Sequence, residues 1–447
     1  MAWLNHPGRR LGLLGGVVLL LSLAWASESF GWLLARQPVL REEPTLALQT
    51  ARLDSAIGAR QEHLRRNPND ALVLSELGAL YLTKARLTLD PSWYDRAERV
   101  LDQALRQRPE FAPALTARGE LALARHRFDE ARTIGEQAVR LAPYSIGGYA
   151  VLADALIELG AYAEAVPVVQ QMVDLKPTLA SYARVSYLRE LHGDLPGAIA
   201  AMELAVEAGA AGTEPRSWAL AQLGHLHFLS GDLARAAAVY RRAEAETPGY
   251  HAARAGLARL AAAEGRYAEA SALLEPVTLQ TPLPEYLILL GDIYAAAGRS
   301  EEAQQQYRLV RAVSALFQSS GVDVDLELAL FDLDQNENVA AAYETLSRLA
   351  SVRPSIKVLD ALAWALYRLG EPETGLEYAR QALRLGTPDP LLLYHAGKLA
   401  AAAGRPEEAR GYFARALALN PRFSLRWATD LHRSYQEVGG TLPESAR

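Results

Sequence analysis

Apolar residues along this chain recur three and four positions apart, in stripes of about a dozen residues broken by glycine or proline. Residues 391–421, LLLYHAGKLAAAAGRPEEARGYFARALALNP, show the pattern in full. Leu393, Ala396, Gly397 and Ala400 form one face of a first helix. Gly404 fits the left-handed position that ends it. Ala409, Phe413, Ala416 and Leu417 form the buried stripe of a second helix, which Pro421 terminates. Gly397 has no side chain, so the second helix can lie close against the first.

The punctuation is periodic. Pro109, Pro143 and Pro177 lie 34 residues apart, as do Pro248 and Pro282, and Pro354 and Pro388. Gly231, Gly265 and Gly298, then Gly370 and Gly404, fall 33 or 34 apart. A period of that length implies a helix–turn–helix unit stacked into an array.

These residues resemble the tetratricopeptide-repeat (TPR) family, whose unit reads large residue, Leu-Gly, Tyr-like, then Ala, aromatic, Ala and Pro. Gly78, Ala97, Ala104 and Pro109 carry the first unit, with extra residues around Leu87–Trp93 between its helices. Gly224, Gly231, Ala236, Tyr240, Ala243 and Pro248 carry a strong fifth. Leu330 replaces the glycine in a degenerate eighth, and the break at Ser319-Ser320-Gly321 reads as a lengthened connection. The resemblance implies an all-α fold, a right-handed α-solenoid of about ten units over residues 68–421. A leading helix is expected within 45–67, and a closing helix, Ser424–Val438, within the C-terminal residues 422–447.

In the family, the first helix of each unit lines a concave groove. Carried over, that places Tyr187, Glu190, Trp218, His225 and Phe228 on the inner face of units four and five. Asp360, Trp364, Tyr367, Tyr394 and Lys398 fall on that of units nine and ten. Aromatics suit gripping a partner because they bury large area at low entropic cost. Glu120, Asp154 and Glu158 would select a basic protein or peptide. TPR domains that clamp a C-terminal carboxylate use Lys and Asn at groove positions. Here Ala79, Glu120, Asp154, Tyr187 and His225 stand there, which argues against such a clamp.

No cofactor, metal or catalytic site is expected. His225 and His227, two apart on a helix, point away from each other and cannot chelate together. Glu301-Glu302 and Glu407-Glu408 start second helices, where carboxylates favour the helix dipole. Gly147-Gly148 reads as a repeat turn without a phosphate-loop motif. The net charge of −6 offers no basic surface for nucleic acid. The absence of cysteine removes disulfides, thiolate chemistry and a lipoprotein anchor.

Arg9 and Arg10 precede an apolar run, Leu11–Ala24, followed by Ala24-Trp25-Ala26. This reads as a signal peptide over 1–26, cleaved before Ser27, with 27–44 as linker. The other reading is an uncleaved anchor over 11–35, tethering the chain to a membrane. Both send the array out of the cytoplasm. The last third, LDALAWALYRLG to RALALNPRF, is similar to exported bacterial TPR proteins. The expected function is therefore a non-catalytic scaffold of the bacterial envelope. The alternative is a structural part of an envelope assembly, or of a polysaccharide or protein export machine.

Overall fold

Side-chain caps and left-handed turns cut the apolar stripes into helices mostly of 13 or 14 residues. The computed structural model describes residues 44–442, and the signal or anchor segment lies outside them. Among the described residues there are twenty-two α-helices and no strand. α1 (Pro44–Arg66) leads. The first five units are α2 (Ala71–Thr88) and α3 (Ser92–Gln107), α4 (Ala112–Ala124) and α5 (Phe128–Leu141), α6 (Ile146–Glu158) and α7 (Tyr162–Leu175), α8 (Leu179–Leu191) and α9 (Leu195–Ala208), α10 (Glu214–Leu229) and α11 (Leu233–Glu246). Five more are α12 (His251–Ala263) and α13 (Tyr267–Gln280), α14 (Pro284–Ala296) and α15 (Ser300–Ser319), α16 (Asp325–Gln335) and α17 (Val339–Val352), α18 (Ile356–Leu369) and α19 (Pro372–Ala382), α20 (Pro390–Ala402) and α21 (Pro406–Leu419). α22 (Ala428–Glu437) closes the array. None of these helices is long and apolar enough to cross a membrane.

The helix starts have local causes. Asp70, Asp194, Asp232 and Asp389 accept backbone N–H groups that would otherwise be orphaned at the starts of α2, α9, α11 and α20. Thr178 and Ser181 form a reciprocal capping box on α8. Within each unit the turn is left-handed. Seven units place glycine there, from Gly160 to Gly404, while Leu89, His126 and Asn336 hold positive φ in the other three. The second helix then lies close on the first: a Cβ at Gly397 would meet the Phe413 ring at 2.3 Å.

Four local expectations change. The extra residues of the first unit extend α2 to 18 residues and leave a short turn. Those near Ser319 extend α15 to 20 residues, and the loop after it is packed, with Val322 and Val324 buried. Gly147 and Gly148 lie in the first turn of α6, where the bare Gly148 lets that helix rest on the backbone of Ala138 and Val139. The last helix starts at Ala428, because the Ser424 hydroxyl accepts the N–H groups of Arg426 and Trp427 and holds a turn.

The array winds until it meets itself. His126 donates its Nδ1–H to the Asp323 carbonyl (2.6 Å), and the Ile356 N–H donates to the Tyr162 hydroxyl (2.9 Å). The Thr387 hydroxyl donates to the Leu191 carbonyl (2.6 Å), and the Asn420 amide to that of Phe228 (2.7 Å). The sequence separations, 197, 194, 196 and 192, are nearly constant. One superhelical turn therefore takes between five and six units. The within-unit turns of units two to five seat on the loops that follow units seven to ten. Apolar packing follows the same seam, since Leu188 and Leu191 share a cluster with Ile356 and Leu392. At the other end, Gln49 of α1 bonds to Gly212 and Glu214, and Arg86 pairs with Glu214.

Candidate functional site

The first helices of successive units turn a common face to the interior, and two wound turns enclose it. Glu120 on α4, Glu158 on α6, Tyr187 and Glu190 on α8, and His225 on α10 lie there, all reached by solvent. Lys357 on α18 enters from the second turn, its Nζ 5.5 Å from the centre of the Tyr187 ring. Arg259 on α12 lies close enough to act on the charge of both His225 and the exposed Glu285 of α14.

Enclosure without ion pairing shifts the charges. Loss of water pushes the Glu190 carboxyl up to about 7 against the pull of Lys357, with Asp389 adding to the rise. The same cause pushes Glu285 up to about 7 and raises Glu120. His225 is driven down to about 3 by burial and by the positive charges of Arg259 and Lys357, so its imidazole is neutral. The Tyr187 phenol, with Glu158 and Glu190, holds the Lys357 ammonium charged. The face is acid-rich: Glu120, Glu158, Glu190, Glu285 and Glu327 stand against Lys357, Arg259 and, beside Glu120, Arg86.

Other expected site residues lie elsewhere. Asp154 is buried, and both its carboxylate oxygens are taken by Arg184 (2.8 and 2.5 Å), so it stiffens units three and four. Phe228 is buried in the core of units four and five, where Trp218 is half-buried. The second cluster is corrected most. Trp364 and Tyr394 are each 1 % exposed, and Asp360 is buried in a bond to His395 (2.9 Å). Tyr367 stacks on Trp364, with ring centres 4.8 Å apart, and Trp427 covers Trp364 and Tyr394. Lys398 pairs with Asp430 of α22 (2.9 Å). Burial opposes charge on Asp430, but bonds from Lys398, Tyr394 and Arg433 hold it down to about 2. The chain's own C-terminal residues thus occupy the face of units nine and ten.

Lys357, Arg259 and Glu285 did not stand out in the sequence. Lys357 could have been noticed as one of only four lysines. His126 carried a clearer signal, because it stands 34 residues before Gly160 in the turn position that glycine usually fills. A non-glycine residue kept at φ 57° there has its ring in the seam. Among the described residues no group of His, Cys, Asp and Glu could hold a metal ion.

Sequence models of the tetratricopeptide repeat match residues 227–293, residues 82–146 and 361–422, and residues 284–309. No curated protein matches the chain. Among solved structures it is similar to the APC/C hetero-tetramer Cut9-Hcn1, at 14% identity and TM-score 0.36, over 88% of this chain and 94% of that one. It is also similar to a tetratricopeptide repeat protein from Parabacteroides merdae, at 18% identity and TM-score 0.34, over 58% and 98%. The human IFIT1 dimer with PPP-AAAA is a third, at 15% identity and TM-score 0.44, over 81% and 87%. The repeat matches fall on the helix pairs described above, and the chain belongs to the tetratricopeptide-repeat family.

Proposed function

We propose that this protein is a non-catalytic scaffold outside the bacterial cytoplasm, whose inner face holds a basic, extended segment of another protein. One observation carries the reading: half-buried Glu158 and Glu190 flank Tyr187 on the inner face with Lys357 over its ring, and loss of water lifts the Glu190 carboxyl to about 7, with no ion pair to it among the described residues. A lysine or arginine brought beside them supplies the missing charge, and charge-assisted bonds in an enclosed site are strong. A polyanion meets repulsion on the same face. Tyr187 and the neutral His225 add flat surfaces for a partner's backbone and apolar side chains. Tetratricopeptide repeats, a fold typical of protein-interaction scaffolds, suit this role.

Export is supported by Arg9, Arg10, the run Leu11–Ala24 and Ala24-Trp25-Ala26. Cleavage before Ser27 releases the array, whereas retention of residues 11–35 tethers it. N-terminal sequencing of the mature protein separates the two.

A photoreactive residue placed at Tyr187 in the native host tests the binding reading, with the outer Tyr144, 88% exposed, as control. The expected result is a protein adduct from position 187 alone, in the extracytoplasmic fraction, mapping to a lysine- or arginine-bearing segment. Equal capture from both positions, or a cytoplasmic protein, contradicts it.

A further inference from the structure

Arg426 departs from the line of the solenoid. It precedes α22, yet its guanidinium reaches back to the seventh unit, where Nη2 donates to the Asp292 carboxylate (2.7 Å) and the Tyr307 hydroxyl (3.2 Å). Nη1 donates to the Asp334 carbonyl (2.6 Å). The next residue, Trp427, stacks on Tyr394 (centres 5.7 Å apart, planes 24°) and meets Trp364 edge-on (5.6 Å, 77°). Closing the end of the array does not require this reach, since Leu431 of α22 is fully buried against the last units.

The occupant also fits incompletely. Beneath Trp427, Trp364 stacks on His395 at 4.1 Å, and His395 bonds to Asp360. All three side chains are at least nine-tenths buried, yet Trp364 Nε1, Asp360 Oδ1 and His395 Nε2 have no hydrogen-bond partner among the described residues. Buried polar atoms are nearly always satisfied, so three orphans in one stack call for a ligand that supplies polar groups.

We propose that this compartment is a recognition site for an arginine followed directly by an aromatic residue in a partner's segment, occupied in cis by Arg426–Trp427 and exchanged on binding. The proposal rests on the reading that the array binds segments of other proteins, and not on the acid-rich face itself. Asp292, Tyr307 and the Asp334 carbonyl take the guanidinium, and Tyr394 and Trp364 take the ring. Polar side chains flanking the pair in a partner's segment supply groups for Trp364, Asp360 and His395 that the fixed residues beside Arg426–Trp427 do not bring. The cis pair sets a threshold: apparent affinity is reduced by the fraction of molecules in which it still sits in the site.

The test uses the full chain and a fluorescent twelve-residue Ser/Gly peptide carrying one Arg-Trp pair, with Arg-Ser and Ser-Trp peptides as controls. Arg426→Ala is expected to bind the Arg-Trp peptide about tenfold more tightly than the wild type. Adding Asp292→Asn should abolish that gain, and the control peptides should show none. Arg426→Lys keeps a charge but loses the planar fork. It replaces Arg426→Ala if the latter lowers the melting temperature, and should show a smaller gain of the same sign. Unchanged or weaker binding in the folded variant overturns the proposal. An oligolysine peptide separates the two readings. If its binding falls with Glu158→Gln/Glu190→Gln while the Arg-Trp gain is absent, the exchange is wrong and the inner-face reading stands. If the gain is present while oligolysine ignores Glu190, the exchange stands and the inner-face reading falls.

Discussion

In the third and fourth units the inner face carries Glu158, Tyr187 and Glu190, which water reaches. In the ninth and tenth units the same helix face carries Trp364 and Tyr394, which water does not reach. The repeat is the same in both places, and so is the helix position. What differs is the cover: the loop before α22 folds its Trp427 over the later units, while over the earlier ones Lys357 of the next turn stands above Tyr187 and leaves the face open to water. Aromatic residues at groove positions are thus no guide by themselves to where a partner sits. An aromatic there serves the partner only if the chain leaves it open.

Removing the covered ring breaks the comparison most severely. Trp364→Ala empties a fully buried site, and large-to-small changes of this kind cost about 3–5 kcal/mol. Chemical denaturation should report that loss, while basic-peptide affinity at the inner face stays within twofold in whatever fraction remains folded. A large loss of affinity in folded protein for oligolysine, which lacks an Arg-aromatic pair, would place Trp364 on the face that takes basic segments.

The second difference is electrostatic. Glu190 is lifted from an ordinary 4.5 to about 7 by burial, so the folded protein holds more protons than the unfolded chain between those values. Stability from this group is fully present below pH 4.5 and is lost as pH rises through 7. Glu190→Gln should therefore melt higher than the wild type at pH 8 and equally at pH 4. His225 and His251, lowered by burial to about 3 and about 4, act with the opposite sign, their stability being lost as pH falls below 6.5. The difference between variant and wild type, not the raw curve, isolates Glu190. A constant offset at all pH values would deny the shift.

The seam should yield the smallest effect. Tyr162→Phe removes the acceptor for the Ile356 N–H while keeping the ring. One such bond is worth about 1 kcal/mol. Hydrogen exchange at Ile356 should accelerate with little change in global unfolding, because the bond joins two turns and not neighbouring units. Unaltered exchange would mean that the turns are held by packing alone.

The periodic prolines and glycines made the helix pairs legible, because each unit packs on its neighbours and leaves its mark in local spacing. Glu120, Glu158, Tyr187, Glu190 and His225 were placed on the interior by the same phase. The seam had no such mark. It joins residues about 194 apart through a pitch built from small rotations summed over several units. No single stretch of sequence encodes that sum. Lys357 facing Tyr187 and Arg426 reaching Asp292 follow from it, and so could not be read locally. Asp154 misled because its carboxylate, though in phase with the interior, meets Arg184 thirty residues on.

The proposed function requires that the acid-rich inner face of the first turn take the basic segment while Trp427 still covers the aromatic cluster. Calorimetric titration of a lysine- and arginine-bearing peptide into the wild type and into Glu158→Gln/Glu190→Gln tests it most directly. The expected result is a loss of about tenfold or more in affinity, roughly 1.4 kcal/mol, with no fall in melting temperature. Equal affinity in a folded double variant would contradict it.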